Sequence, residues 1–187
     1  WSRDFTTDGK QQPIRSGNIP GVMPGPQTTF QSYGYGWANA SNTPFRLFKQ
    51  FDHEGGTRSP LIVSWPAGID SDLAGSTIGE VCHVMDIMPT LLEAADTSAH
   101  QEPFSFEGRS FLPAIQGEPE KCAPRGDVFW AHARGKAVRS GEWKLVSFAR
   151  GPWELYNIVR DGTELNNLAD QFPAKVAELQ RKFNAWN

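Results

Sequence analysis

Four short runs of strand-forming residues near the end of the chain constrain its fold most strongly. They cover residues 128–132, 136–139, 143–148 and 153–156, and turns that contain glycine separate them. Ser140-Gly141, between the second and third runs, is typical of a tight hairpin loop. The spacing therefore predicts an antiparallel meander of four strands with one buried face.

Two helices are predicted from apolar residues that recur every three or four positions. In the C-terminal segment these residues are Val176, Leu179, Phe183 and Trp186. Pro173 suits the first turn of that helix, which we expect to pack with the meander. A second helical pattern covers residues 79–95, where Pro89 predicts a kink or a helix start.

The first part of the chain is less regular. Residues 1–36 are rich in Gly, Pro, Ser, Thr and Gln and show no periodic pattern, which predicts a long irregular loop. Residues 60–65 form a short apolar run between Pro60 and Pro66, and this run predicts a buried strand.

Composition excludes several classes of protein. The net charge of −3 and the scattered basic residues argue against a nucleic-acid surface. No apolar run approaches the roughly 20 residues of a membrane span. Cys82 and Cys122 are the only cysteines. They could form a disulfide or remain as two buried thiols, and without further ligands nearby they do not predict a zinc site.

Lys49 is the first candidate for a functional residue. It lies between Phe48 and Phe51, five residues before Glu54. Such a lysine could pack its stem against the aromatic rings and leave the ammonium to neutralise an anion or a leaving oxygen. The alternative is an ordinary exposed lysine on a loop.

His53 is the second candidate, because a histidine beside a glutamate could perform acid–base chemistry. The alternative interpretation concerns the turn itself. Gly55 and Gly56 would supply positive φ angles, and Glu54 would order the turn by accepting hydrogen bonds from backbone amides. For Glu54 we favour this structural interpretation, and for His53 both roles stay open.

Taken in order, seven segments resemble the type I sulfatases, most of all the bacterial arylsulfatases. They are residues 37–46, the Lys-x4-Glu-Gly-Gly-x-Arg-x-Pro-Leu-Ile-Val-x-Trp-Pro segment at 49–66, and residues 84–92, 106–112, 139–145, 154–157 and 164–168. The resemblance covers roughly residues 37–187. It implies the C-terminal portion of a protein with an alkaline-phosphatase-like α/β fold.

The resemblance also implies a division of the chain and a site. Residues 1–105 would be the end of the catalytic domain, and residues 106–187 an antiparallel subdomain with its closing helix. The parent enzyme would hydrolyse sulfate esters. Lys49 matches the lysine that contacts the sulfate, so it is the expected catalytic and substrate-binding residue. Of the family's site only this lysine has a match, and His53 is a further expected substrate ligand on the grounds of its own side-chain chemistry.

One departure from the family pattern is decisive. Type I sulfatases convert a cysteine or serine in a C/S-x-P-x-R sequence to formylglycine, and they bind calcium. Neither that sequence nor the calcium ligands occur here, and after Cys122 the arginine, Arg125, comes one residue early. We therefore expect no metal in this chain and no turnover by the chain alone.

The resemblance implies several partners and a location. We expect a sulfated small molecule or glycan, the N-terminal portion of the same protein, and self-association through apolar surface near residues 60–65. A periplasmic or secreted location is expected, and neither nucleic acid nor a membrane is an expected partner.

Two other functions stay open. A phosphonate or phosphodiester hydrolase would share the fold. A non-catalytic carbohydrate-binding or interaction module could use the tryptophan-rich meander, although aromatic residues in a small sheet usually belong to its core.

Overall fold

A computed structural model describes residues 13–32, 34–97 and 105–187. The chain divides into two compact units, one formed by residues 1–59 with 128–187 and the other by residues 60–127. The predicted boundary after residue 105 falls inside the second unit. The segment that carries Lys49 and the predicted meander therefore belong to the same unit.

The helices and strands are short except at the C-terminus. The strands are β1 (Arg15–Ser16), β2 (Thr29–Phe30), β3 (Val128–His132), β4 (Gly135–Ser140), β5 (Trp143–Phe148) and β6 (Glu154–Asn157). The α-helices are α1 (Gly34–Ala40), α2 (Glu54–Thr57), α3 (Ile87–Ala94), α4 (Leu112–Ile115) and α5 (Pro173–Trp186). Three 3-10 turns lie at Ser71–Leu73, Val84–Asp86 and Pro119–Lys121. None of the described helices combines the length and the apolar character needed to cross a membrane.

The N-terminal segment is more ordered than its composition predicts. β1 pairs with β2 in parallel, with Arg15 opposite Thr29 and Ser16 opposite Phe30. α1 follows and contains no buried residue. Residues 1–12 lie outside the described residues, so the predicted loop can be compared only over the rest of that range.

The predicted four-stranded meander is confirmed. β3, β4, β5 and β6 are neighbours in that order, and each pair is antiparallel. Ser140 faces Trp143, so the hairpin loop is Gly141–Glu142, one residue later than predicted. Gly141 has a φ of 58°, a left-handed angle that glycine adopts without steric strain.

The sheet is covered on both faces, whereas the sequence predicts one buried face. One face packs against the closing helix, and its core comprises Val138, Leu145 and Leu155 with Leu179 and Phe183 of α5. The predicted stripe of α5 is therefore confirmed at its centre. At its end, Trp186 stacks on Phe129, with ring centroids 5.1 Å apart. This face holds the helix to the strands.

The opposite face carries Ala137, Val146, Tyr156 and Ile158. Residues 45–58, which we call the Lys49 loop, lie over it. Phe51 contacts Phe148 of β5, with ring centroids 4.5 Å apart. A Cβ at Gly135 of β4 would lie 2.4 Å from a carboxylate oxygen of Asp52, so the chain needs glycine there for the loop to approach the sheet closely. The sheet thus separates the Lys49 loop from α5.

In the second unit, the observed helix is shorter than the range of residues 79–95 over which the sequence pattern predicts it. The 3-10 turn Val84–Asp86 leads into α3, and residues 79–83 are not helical. Pro89 lies in the first turn of α3, in agreement with the predicted helix start. The buried core of this unit comprises Phe111, Leu112, Ala114 and Ile115.

The predicted buried strand at residues 60–65 is wrong for the described chain. These residues form no strand, and Leu61, Ile62 and Val63 are 54%, 90% and 41% exposed. Among the described residues of their unit, no strand offers the neighbouring ladder that an extended segment needs. The expected apolar surface at this segment is therefore present.

Candidate functional site

The Lys49 loop presents its lysine to solvent on a tightly held backbone. Lys49 is exposed, whereas the preceding Phe48 is buried. The Phe48 ring makes edge contacts with Tyr35 at 4.9 Å and with Phe51 at 5.2 Å between centroids. These ring contacts hold the backbone on both sides of Lys49.

Lys49 borders an open pocket of about 610 Å³ within the first unit. The polar residues that line the pocket are Ser32, Asn42, Gln50 and Ser59, and Tyr35 is its exposed aromatic residue. The pocket therefore combines a cation, several hydrogen-bonding groups and the rings of Tyr35 and Phe48. This is a suitable chemistry for a polar anionic ligand.

Gly55 and Gly56 serve close packing, and the predicted positive φ angles are absent. Both residues lie within α2. A Cβ on Gly55 would lie 2.2 Å from the carbonyl oxygen of Leu47, and one on Gly56 would lie 1.9 Å from that of Phe51. The glycines let the helical turn rest directly on the backbone around Lys49.

Glu54 also differs from its predicted role. Its carboxylate enters a buried ion cluster instead of accepting hydrogen bonds from turn amides. Glu54 Oε1 lies 2.7 Å from Lys144 Nζ, and the backbone N–H of Glu54 donates to Glu164 Oε2 at 2.9 Å. Lys144 Nζ lies 3.2 Å from Glu164 Oε1 and 3.2 Å from the hydroxyl of Thr57. Glu54, Lys144 and Glu164 are all buried.

His53 is placed beneath the loop surface, with 2% of its area exposed. Its Nε2 lies 3.3 Å from Glu154 Oε2, and its Nδ1 is buried without a hydrogen-bond partner among the described residues. Lys49 and His53 therefore belong to one loop, but only Lys49 reaches the surface.

Glu154 gathers three donors at this position. His53, Arg46 and Tyr156 all lie within hydrogen-bonding distance of Oε2, Arg46 at 2.6 Å and Tyr156 at 2.5 Å. The hydrogen bond from His53 is the largest of the effects that lower the pKa of Glu154 to about 2. Burial, together with the neighbouring carboxylate, raises the pKa of Tyr156. Glu154 is therefore a carboxylate at neutral pH and anchors the start of the Lys49 loop to β6.

Metal binding and cysteine chemistry find no structural support in the described part of the chain. Over residues 13–32, 34–97 and 105–187, no three His, Cys, Asp or Glu side chains form a possible metal site. Cys82 and Cys122 are free thiols, the first exposed and the second half-buried. The disulfide that the sequence left open is not formed.

The tryptophans of the meander belong to its packing. Trp143 contacts Phe172, with ring centroids 5.3 Å apart, and Trp153 contacts Phe183 at 5.8 Å. Both contacts lie on the face that α5 covers, so these two rings give no platform for stacking a sugar. The alternative of a carbohydrate-binding module gains no support from them.

Comparison with known proteins identifies the family. Residues 45–186 match the family described as N-sulphoglucosamine sulphohydrolase, C-terminal. The chain belongs to this family. The match begins at the first residue of the Lys49 loop and ends in the last turn of α5, so it includes the loop, the sheet and the closing helix.

Individual relatives agree with this assignment. An uncharacterized sulfatase of Schizosaccharomyces pombe is 33% identical over 83% of the chain, and arylsulfatase K of Danio rerio is 27% identical over 73%. These alignments cover only 29% and 27% of the two relatives. The chain thus spans less than a third of the length of these two relatives.

A solved structure supports the fold. The crystal structure of Ps i-CgsB superposes with a TM-score of 0.64 at 23% identity, over 77% of this chain and 32% of that one. The predicted mixed α/β class, with a four-stranded antiparallel sheet and a closing helix, is confirmed. The assignment of Lys49 and His53 to substrate contact stays a prediction.

Proposed function

We propose that this chain is part of a sulfatase that hydrolyses sulfate esters, and that Lys49 forms one wall of its sulfate site. The observation that carries the proposal is the placement of Lys49. Its exposed side chain borders a pocket of about 610 Å³, while contacts of the buried Phe48 ring with Tyr35 and Phe51 hold the backbone on both sides. A loop of this kind presents the Lys49 ammonium at a fixed position.

Lys49 would act electrostatically, through its positive charge. Its ammonium would attract the sulfate group and stabilise the negative charge that develops on the leaving oxygen as the S–O bond breaks. Asn42, Gln50 and the Tyr35 ring would contact the part of the substrate that carries the sulfate, which we propose to be a small molecule or a glycan.

The nucleophile and the metal belong to another part of the proposed enzyme. Formylglycine would supply the oxygen that attacks sulfur, and calcium would hold the sulfate. The described residues provide no ligand set for such an ion, so the chain's own contribution is the cation and the pocket. By itself the chain should show no sulfatase turnover.

His53 has a less direct part in the proposal. Because its ring is buried and its Nε2 lies against Glu154, we infer that it mainly holds the loop to β6. Contact between its Nδ1 and a substrate would require the loop to move. A His53→Gln substitution that changes KM without changing stability would support the direct contact.

The partner proposed for the second unit is the N-terminal portion of the same protein. Leu61, Ile62 and Val63 offer exposed apolar surface that such a partner would cover. Self-association of the chain is the second possibility. Sedimentation of the chain with and without Ile62→Asp separates the two, because only self-association predicts a dimer that the substitution dissolves. We propose a periplasmic or secreted location, which fractionation of the producing cell would test.

The deciding experiment uses the full-length protein that carries these residues. Lys49→Ala should lower kcat/KM for an aryl sulfate by about 10²–10³-fold, the range found when one donor to a developing oxyanion is removed. Lys121→Ala is the matched control, because Lys121 is an exposed lysine of the second unit. Wild-type turnover by a folded Lys49→Ala protein would overturn the proposal.

The same assay distinguishes the related hydrolase. A sulfatase should turn over an aryl sulfate faster than an aryl phosphonate with the same leaving group. The reverse preference would assign the protein to the phosphonate or phosphodiester hydrolases.

A further inference from the structure

Lys144 is a fully buried cation at the second position of β5, with 0% of its side chain exposed. Together with Glu54 and Glu164 it forms a group that we call the Lys144 cluster. The members come from three parts of the chain: the Lys49 loop, the central sheet, and the connection between β6 and α5. The Lys144 cluster therefore joins the Lys49 loop to the sheet and to that connection.

Stability alone is a poor explanation for such a cluster. Removing ionised groups from water costs several kcal/mol for each ion, and well-packed apolar residues often replace a buried ion pair without loss of stability. The cluster holds one cation and two carboxylates, and the nearest further cation, Arg58, lies 3.8 Å from Glu54 on the exposed side. Its directional contacts fix geometry more effectively than they add free energy.

The contacts lead from the cluster to Lys49 in two steps. Lys144 and Glu164 hold the side chain and the backbone N–H of Glu54, the first residue of α2. The next residue, Gly55, donates its N–H to the carbonyl oxygen of Arg46 at 2.9 Å.

The backbone of α2 packs so closely against the backbone around Lys49 that only glycine fits between them. A Cβ on Gly56 would lie 2.9 Å from the carbonyl oxygen of Phe48 and 1.9 Å from that of Phe51. The backbone on either side of Lys49 therefore rests on a turn whose position the Lys144 cluster sets.

We propose that Lys144 is a positioning residue for Lys49. It touches neither the pocket nor a substrate, and it acts by fixing the helical turn on which the Lys49 backbone rests. The inference rests on the proposed function of Lys49. It adds that the direction of the Lys49 ammonium depends on a charge on the opposite side of the loop.

A purely structural role makes a different prediction. If Lys144 only stabilised the fold, its loss would lower activity by the same factor whether or not Lys49 were present. If it acts through Lys49, its loss should have little further effect once Lys49 is gone, because residues that act as a unit are not additive.

The test is a double-mutant cycle in the full-length protein with an aryl sulfate as substrate. Lys144→Met should lower kcat/KM by about 10–100-fold in the wild-type background, the scale expected from misplacing a catalytic group. In the Lys49→Ala background it should lower kcat/KM by less than about twofold.

The matched control is Lys136→Met. Lys136 lies on the adjacent strand β4, is half-buried, and holds its Nζ 4.6 Å from the Trp153 ring, away from the loop. This substitution should leave kcat/KM within about twofold in both backgrounds. A Lys144→Met/Glu164→Gln variant, which removes one charge of each sign, serves if Lys144→Met does not fold.

The outcomes separate the two proposals. Equal losses from Lys144→Met in both backgrounds, or no loss in either, would overturn the positioning role while Lys49→Ala remained impaired. Full activity of Lys49→Ala would instead overturn the function of Lys49, and the positioning role with it.

Discussion

Arg46 and Glu154 form an ion pair with an N–O distance of 2.6 Å across 108 residues of sequence. The pair joins the beginning of the Lys49 loop to the first residue of β6. The side chains of Arg46 and Glu154 are 37% and 24% exposed, so the pair lies at the edge of the sheet and not in its core. It is the outer of two charged links between the loop and the sheet, and the Lys144 cluster is the inner one.

The outer link predicts a loss of stability in acid. The pKa of Glu154 is lowered to about 2 from a usual value of 4.5, chiefly by the hydrogen bond from His53. The ionised Glu154 carboxylate therefore contributes its full stabilisation of the folded state above about pH 4.5. This stabilisation is lost as the pH falls through about 2. Glu154→Gln should lower the free energy of unfolding at pH 7 by on the order of 2 kcal/mol and have little effect near pH 2, as urea unfolding would show. An equal effect at both pH values would contradict the pairing.

Close packing of α2 predicts that Gly56→Ala is strongly destabilising. The added methyl group would lie 1.9 Å from the carbonyl oxygen of Phe51, so the Lys49 loop must move. We expect a loss of about 2–4 kcal/mol in the free energy of unfolding. Gly36→Ala in α1 is the control, since nothing lies within 4 Å of a Cβ there and alanine favours the helix. If denaturant unfolding gave similar values for both variants, the close approach would be refuted.

The second unit depends on Asp86, which is fully buried. Its carboxylate accepts the backbone N–H of His83 at 2.7 Å and that of Arg109 at 2.9 Å, and it pairs with Arg125. Asp86→Ala should therefore destabilise this unit by about 3–5 kcal/mol, because it leaves two backbone N–H groups unpaired and Arg125 without its carboxylate partner.

The control for this prediction is Asp72→Ala, since Asp72 is exposed in a 3-10 turn of the same unit. Amide hydrogen exchange over α3 and α4 is the measurement, because it reports the opening of the second unit. Unchanged protection in Asp86→Ala would contradict the role of Asp86.

The meander and the closing helix could be predicted because the residue pattern of each lies within its own segment of the sequence. Short runs of strand-forming residues between turns predict β3 to β6. The spacing of the apolar residues from Val176 to Trp186 predicts the buried side of α5. Residues 60–65 have an equally local pattern, but a strand exists only when a neighbour completes its ladder. The sequence of residues 60–65 does not reveal whether such a neighbouring strand is present.

The Lys144 cluster could not be predicted in the same way. Glu54, Lys144 and Glu164 are far apart in sequence, and nothing in 18 basic and 21 acidic residues specifies which of them meet. One signal was present, because Lys144 interrupts a strand whose neighbours Leu145 and Val146 are apolar. A lysine in such a run requires a buried partner.

The prolines at the ends of residues 60–66 have a consequence for newly made protein. Pro60 and Pro66 bracket the exposed Leu61, Ile62 and Val63, and neither proline can donate a backbone hydrogen bond. A strand of another chain could therefore pair continuously with only the five residues between the two prolines. The two prolines act as gatekeepers against aggregation during the interval between synthesis and the covering of this surface.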